Sequence, residues 1–168
     1  LEATTDRAER LVRACEAAGV TLMTAYRMQT DPLVRRLRAF LRSGGLGDVV
    51  KLHADFTFPV LAGSYGPDHW RLDLHLAGGG ALYDVGVYPL NTSRFLLDAE
   101  PVAVEATTTS SGPFEGVGGE EVREEFDYFA HCVLAGTAPE PDGHDGLRDV
   151  RVMDAVYESA AAGERVDL

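Results

Sequence analysis

At 168 residues with a formal net charge of −12, the chain is long enough to bury a real core. It is too acidic on balance for nucleic acid, which demands a basic stripe against its phosphates. No apolar run reaches the roughly 18 residues that span a bilayer, and no basic-then-apolar leader opens the chain, so the expected location is cytoplasmic with no membrane partner.

In chain order, residues 5–18 read as an amphipathic helix. Thr5 or Asp6 caps it, Ala8, Leu11, Val12 and Cys15 form one apolar face, and Gly19 stops it. "VTLMTAY" (20–26) follows as a short buried strand. Asp31-Pro32 starts a second helix. That helix is expected to bury Leu33, Leu37, Phe40 and Leu41, to show Arg35, Arg36, Arg38 and Arg42 to water, and to end at 43–45. Alternation over 48–60 predicts a long half-buried strand, with Val50, Leu52, Ala54, Phe56 and Phe58 on one face. Residues 61–77 are a loop carrying the only tryptophan, Trp70. A helix from about 81 to 97 comes next, then an alternating strand at 101–109. After a glycine-rich joint at 112–119 the pattern predicts helices at 119–135 and 145–162. Cys15 and Cys132 fall in apolar periodic segments and read as small core residues rather than a disulfide or a metal pair.

Only Lys51 among the fifteen cationic residues is lysine. Acidic excess with almost no lysine suits a cytoplasm of very high salt, where a hydrated acidic surface keeps proteins soluble. A GC-rich genome explains the arginine but less of the acid. The composition therefore predicts a melting temperature that rises clearly between roughly 0.1 and 3 M KCl. Identical midpoints in the two salts would leave codon bias as the explanation.

The helix over 81–97 carries the chemistry of most interest. Asp84 and Tyr88 are four residues apart, so on an α-helix they share one stripe, which Asn91 and Phe95 continue. The other faces are apolar, so the stripe must meet a cavity, a ligand or a satisfied partner, because an unpaired buried carboxylate is costly. Pro89 cannot donate to the carbonyl of Val85, which predicts a kink. Two readings stand. Either an Asp84–Tyr88 hydrogen bond braces the helix, or Tyr88 passes a proton while Asp84 orients it and the substrate hydroxyls. A phenol ordinarily titrates near ~10, so the second reading needs a cation nearby, and Arg27 and Arg71 are the candidates. The five histidines never fall at zinc-ligand spacing, although Asp68, His69 and Asp73 form a weak metal candidate. No nucleophile elbow, P-loop or complete dinucleotide glycine motif is present.

Taken in order, the segment from "LEATTDRAERLVRACEAAGV" to "GGLGDV", then "WRLD", "GGGALYDVGVYPLN" and "RFLLDAEPVAV", resembles the glucose–fructose oxidoreductase / inositol dehydrogenase (Gfo/Idh/MocA) family, closest to its D-xylose-type sugar dehydrogenases. The likeness implies an α/β (α+β) fold: the end of a Rossmann domain at 1–26, then at 27–168 a catalytic, substrate and oligomerisation domain with a mostly antiparallel sheet packed on helices. It implies NAD or NADP as cofactor and a sugar, aldose or polyol, as substrate. Tyr88 falls on the family's acid/base tyrosine and Asp84 on its assisting aspartate, with Asn91 beside the substrate. Tyr26, Arg27, Trp70 and Arg71 match segments that meet the cofactor. A homo-oligomer through the sheet face is implied as well. The family's Glu-Lys-Pro element and its dinucleotide glycines have no match in these residues, and several strands of relatives are missing near 117–118. The chain is thus expected to be a C-terminal part with an internal deletion, inactive alone. The rival expectation is a non-catalytic remnant acting as an interaction module.

Overall fold

The first helix is capped by a hydroxyl one residue ahead of those expected. Thr4 Oγ1 accepts from Arg7 N at 3.4 Å, and α1 runs Thr5–Ala18 until Gly19, at φ 63°, turns the chain out. The computed structural model describes residues 1–56, 70, 76, 82–107 and 122–168, with 122–127 as backbone only. The remaining elements are α2 (Arg27–Thr30), α3 (Pro32–Arg42), a π-turn (Leu82–Gly86), α4 (Val87–Leu97), β1 (Ala103–Val104), α5 (Val122–Ala135), α6 (Gly143–Ala162) and β2 (Val166–Asp167). β1 and β2 pair antiparallel, Ala103 opposite Asp167 and Val104 opposite Val166. The architecture is therefore mixed: a helical assembly carrying a small antiparallel sheet.

The core lies where α1 packs on α6. Ala8 and Val12 meet Leu147, Val150 and Met153, with Tyr26 and Val87 closing the cluster. Asp142 caps α6 by accepting from Asp145 N at 2.8 Å. Gly146 on its first turn has a packing reason, since a Cβ there would collide with Thr24 Oγ1. That close approach, the Thr24 N bond to the Pro141 carbonyl and the Thr24 Oγ1 bond to the Asp142 carbonyl fix residues 22–26 against α6. Cys132 is buried and Cys15 half-buried, both unbridged. Among the described residues no helix is long and apolar enough to cross a membrane.

Several expected elements differ. The strand at 20–26 is a single antiparallel bridge, Met23 with Asp142, because its hydrogen bonds go to the loop before α6. The described part of the 48–60 segment, residues 48–56, forms no strand, and Val50 is 96% exposed. Alternation supplies a face but not the neighbouring strand that a ladder needs. In the described part of the 101–109 segment, residues 101–107, the strand is two residues long for the same reason. The helix at 145–162 starts two residues earlier, at Gly143, and the one at 119–135 is seen from Val122.

Helix α3 forms as expected: Asp31 Oδ1 accepts from Leu33 N at 2.8 Å and Val34 N at 2.9 Å, with Pro32 at the first position. Its apolar side, however, is not buried, and one of the four arginines expected in water turns inward. Leu33, Leu37 and Phe40 are exposed and Leu41 half-buried, while the Arg38 side chain is only 17% exposed. Arg38 stacks its guanidinium 4.0 Å over the Phe95 ring and pairs with Asp98 at 2.8 Å and Glu140 at 3.1 Å. Arg42 joins it on Asp98, the residue that ends α4 at φ 53°. Charge at the end of α4 turns Arg38 inward, while Arg35, Arg36 and Arg42 stay exposed as expected.

Candidate active site

The helix expected over 81–97 is in fact two structures: a π-turn at 82–86 followed by α4. The wide turn lies immediately ahead of Pro89, where the ring removes the N–H that would have bonded the Val85 carbonyl. Asp84 is thus carried by the π-turn and Tyr88 by the first turn of α4. Both side chains are half-buried, and Asp84 is engaged by neighbouring groups. The simple four-residue stripe does not survive the change of helix type.

Tyr88 is surrounded through its ring. Tyr26 stands edge-on to it with centroids 6.5 Å apart, and Phe56 packs at 5.8 Å. The Arg27 guanidinium carbon lies 5.4 Å from the Tyr88 ring centre, the range of a cation–π contact. The structure thus brings Tyr26, Arg27 and Tyr88 together, although 61 residues separate Arg27 from Tyr88 in sequence.

Two further phenols, Tyr83 and Tyr26, are kept protonated by their surroundings. Tyr83 donates to Asp154, and burial together with that bond pushes its phenol far above the ordinary value. Asp154 also accepts from Thr5 N at 3.1 Å and from Thr5 Oγ1, so the π-turn is tied to the start of α1. Tyr26 is 4% exposed, its hydroxyl buried beside Asp149 without a well-formed hydrogen bond. Burial first, and then the charges of Asp149 and Asp145, push its phenol far upward as well. Both are held as neutral phenols.

Asn91 points away from this group into a buried polar network. It is 1% exposed; its Oδ1 accepts from Gln29 Nε2 at 2.8 Å, and its Nδ2 donates to Asp149 at 2.8 Å and Asp145 at 3.1 Å. Gln29 Nε2 also donates to Asp145 at 2.8 Å. Arg94, one turn along α4, donates to Glu100 at 2.7 and 2.9 Å, to Asp145 at 3.1 Å, and to Asp149. The network joins α2, α4 and α6, so it fixes Tyr26 and Arg27 relative to Tyr88. Burial raises the carboxyl of Asp149, which has no exposed surface, above its ordinary range despite Arg94. For Asp145 burial acts the same way, but the Asn91 hydrogen bond and the Arg94 charge outweigh it and hold the carboxyl below that range.

A cavity of about 360 Å³ opens beside the C-terminal end of α4, lined by Gln29, Arg38, Arg94, Asp98, Glu140 and Asp145 among others. Asp84 and Tyr88 do not line it, and its arginines are already paired with its carboxylates. It is the outer side of the network. Trp70 is 45% exposed, while Arg71 and the Asp68–His69–Asp73 candidate lie outside the described residues, as does the joint at 117–118. Among the described residues no group of three His, Cys, Asp or Glu could hold a metal.

Gln29, Arg94, Asp145 and Asp149 form the buried network behind the candidate site, and the sequence patterns did not single them out. A signal exists for two of them. Asp145 and Asp149 stand at i and i+4, on the helix whose core face is Leu147, Val150 and Met153, which would aim a carboxylate pair at a cation. Arg94 inside "TSRFLL" is that cation, but nothing in the spacing says so.

The chain matches the GFO/IDH/MocA C-terminal domain over residues 34–136 and the oxidoreductase-family C-terminal alpha/beta domain over residues 105–168. It is 35% identical to a D-xylose 1-dehydrogenase [NADP(+)] of Haloarcula marismortui, over all of this chain and 66% of that protein. It is 28% identical to D-xylose 1-dehydrogenase (NADP(+)) 2 of Haloferax volcanii, over 71% of that protein. The chain thus spans about two thirds of the length of these relatives. The first alignment runs over 237 positions, more than the 168 residues here, so part of that relative has no counterpart in this chain. Among solved structures, an aldose-aldose oxidoreductase from Caulobacter crescentus complexed with glycerol superposes with a TM-score of 0.82 at 26% identity, covering 99% of this chain and 69% of that one. A levoglucosan dehydrogenase in complex with NADH and levoglucosan shares the fold, with a TM-score of 0.75 at 14% identity, covering 98% of this chain and 70% of that one.

Proposed function

The chain belongs to the GFO/IDH/MocA oxidoreductase family, and from that premise we propose that it is the C-terminal catalytic part of an NAD(P)-dependent enzyme moving a hydride between a sugar and the nicotinamide. The observation that carries this reading is the setting of Tyr88: its ring lies under the Arg27 guanidinium and against Tyr26, whose own phenol is kept protonated by burial. Acting as the phenolate, Tyr88 takes the hydroxyl proton of the sugar as hydride leaves the same carbon, and the Arg27 guanidinium over the ring favours that anionic form before the transfer. Asp84, on the π-turn, accepts hydrogen bonds from neighbouring sugar hydroxyls. Asn91 acts from behind, keeping α2 and α4 in register.

The fit to a dinucleotide is partial. Trp70 is exposed and Arg27 half-buried, and these two would meet the nicotinamide end, with Tyr26 backing Tyr88 rather than offering surface of its own. The bound nicotinamide supplies the hydride acceptor. Among the described residues 1–26 there is one helix and a single bridge rather than a parallel sheet, so the rest of the dinucleotide needs other residues. The D-xylose dehydrogenases among the relatives support an aldose as substrate and NADP as cofactor, and their haloarchaeal hosts support the high-salt reading of the composition. The unmatched positions of the first relative support a missing internal segment, which we place near 117–118.

The test is to join residues 1–168 to the dinucleotide-binding part of the Haloarcula relative and to follow NADPH formation with D-xylose and other aldoses. Aldose-dependent reduction is expected from the fusion and none from the 168 residues alone. A correctly folded fusion that reduces no cofactor with any aldose or polyol would sink the reading. Dinucleotide binding by the 168 residues alone tighter than about 1 mM would contradict the division of labour.

A further inference from the structure

Three side chains surround the Tyr88 ring, and they differ in how much of themselves meets solvent. Tyr26, edge-on to it, is 4% exposed. Arg27 is half-buried over the ring. Phe56 packs on the ring with centroids 5.8 Å apart and planes tilted by 35°, yet 39% of its surface stays accessible. Further contacts hold Phe56, so its ring is a placed surface rather than a loose side chain. Of the aromatic rings packed on Tyr88 among the described residues, Phe56 is the one that offers apolar surface to a ligand.

We propose that Phe56 is a specificity-determining residue of the sugar site: its ring takes the C–H face of a closed pyranose whose hydroxyls are all equatorial. The inference rests on the oxidoreductase reading of Tyr88. Such a sugar, as in the β-pyranose of D-xylose, carries its hydroxyls around the rim and only C–H bonds on its two faces. The face stacks on the aromatic ring, and the rim hydroxyls are left for Tyr88 and Asp84. An axial hydroxyl on the stacked face would be buried against the ring without a partner, which is costly. An open-chain polyol has no such face and loses more rotational freedom on binding. Asp84 and Arg27 cannot make this distinction, because every polyhydroxy compound offers them hydroxyls. Ring shape is read by Phe56.

The experiment has two arms. The whole chain, with ring-labelled phenylalanine, is titrated by NMR at a KCl concentration where it is folded, using D-xylose, xylitol, and the epimers D-lyxose and D-ribose, whose axial hydroxyls lie on opposite faces. Phe56→Leu identifies the Phe56 signals by their loss, and circular dichroism checks that the variant folds. The Phe56 signals are expected to move with D-xylose, and to move less with xylitol and with at least one epimer. In the fusion with the dinucleotide-binding part of the Haloarcula relative, Phe56→Leu is expected to raise KM for D-xylose by about tenfold with kcat within about threefold, and Phe56→Trp to restore KM. Phe56 signals unmoved by up to about 100 mM D-xylose overturn the proposal. So does a Phe56→Leu loss confined to kcat, which would mean that Phe56 only braces Tyr88. A fusion that reduces no cofactor while the Phe56 signals still move with D-xylose would fail the oxidoreductase reading and leave the stacking in place.

Discussion

In an active enzyme carrying this segment, Tyr88→Phe lowers turnover by about 10²–10⁴-fold, the loss expected when a positioned acid/base is removed. The substitution keeps the ring, and it is the ring that packs: Tyr26 on its edge, Phe56 against it, Arg27 over it. Stability should therefore change by no more than about one net hydrogen bond, roughly 1 kcal/mol. If the hydroxyl only braces Asp84, the ordering reverses, with a clear shift of the urea midpoint and a modest change in turnover. The measurements are kcat for sugar oxidation at saturating cofactor and the urea midpoint, on both proteins. A variant within about threefold of wild-type turnover would end the catalytic assignment. Tyr26 and Tyr83 are the internal controls, because their phenols are held neutral by burial and by Asp149 and Asp154.

Arg94→Met has the largest expected effect on stability, about 3–5 kcal/mol at neutral pH. The Arg94 side chain is 6% exposed and serves Glu100, Asp145 and Asp149, so methionine fills the space but leaves the fully buried Asp149 without its cation, while Asp145 keeps Arg148 at 3.0 Å. Asp149→Asn should cost far less, about 1 kcal/mol, since Arg94 keeps two partners and the amide can still accept from it. The pH dependence separates the two carboxylates. The folded-state carboxyl of Asp149 is raised, so it favours folding below the ordinary carboxylate range and disfavours it as pH rises through its own value. Asp145 and Glu100 are lowered, so their contribution is present above about pH 4 and is lost as pH falls through their folded values. Arg94→Met should accordingly recover part of its deficit as the pH is lowered from 7 into the range where Asp149, raised by burial, takes up a proton. Chemical denaturation of wild type and variant across that range checks it. A deficit that stays constant or widens on acidification contradicts the assigned network.

The sequence by itself determined the longer α-helices, because caps and periodicity are local, but not the four-residue α2 or the π-turn at 82–86. Asp31-Pro32 starts α3, Gly19 and Gly163 end their helices, and the 3.6-residue pattern through Leu147, Val150 and Met153 marks the core face of α6. It also determined the family, through an ordered set of short motifs, and pointed to Asp84 and Tyr88. Strands were less legible. The alternation over 48–60 and 101–109 says which side chains share a face, but a strand exists only when another segment supplies its hydrogen bonds, and here that is β2 for two residues. The direction of a helix face was likewise decided elsewhere. Leu33, Leu37 and Phe40 read as core until Asp98, Glu140 and the Phe95 ring, distant in sequence, draw Arg38 inward. Asn91 read as a substrate contact because spacing put it near Tyr88, yet Gln29, Asp145 and Asp149 take up its amide. The site's cation and its buried network depend on residues up to 120 positions apart, from Gln29 to Asp149, and only the packing of α2, α4 and α6 brings them within hydrogen-bond reach.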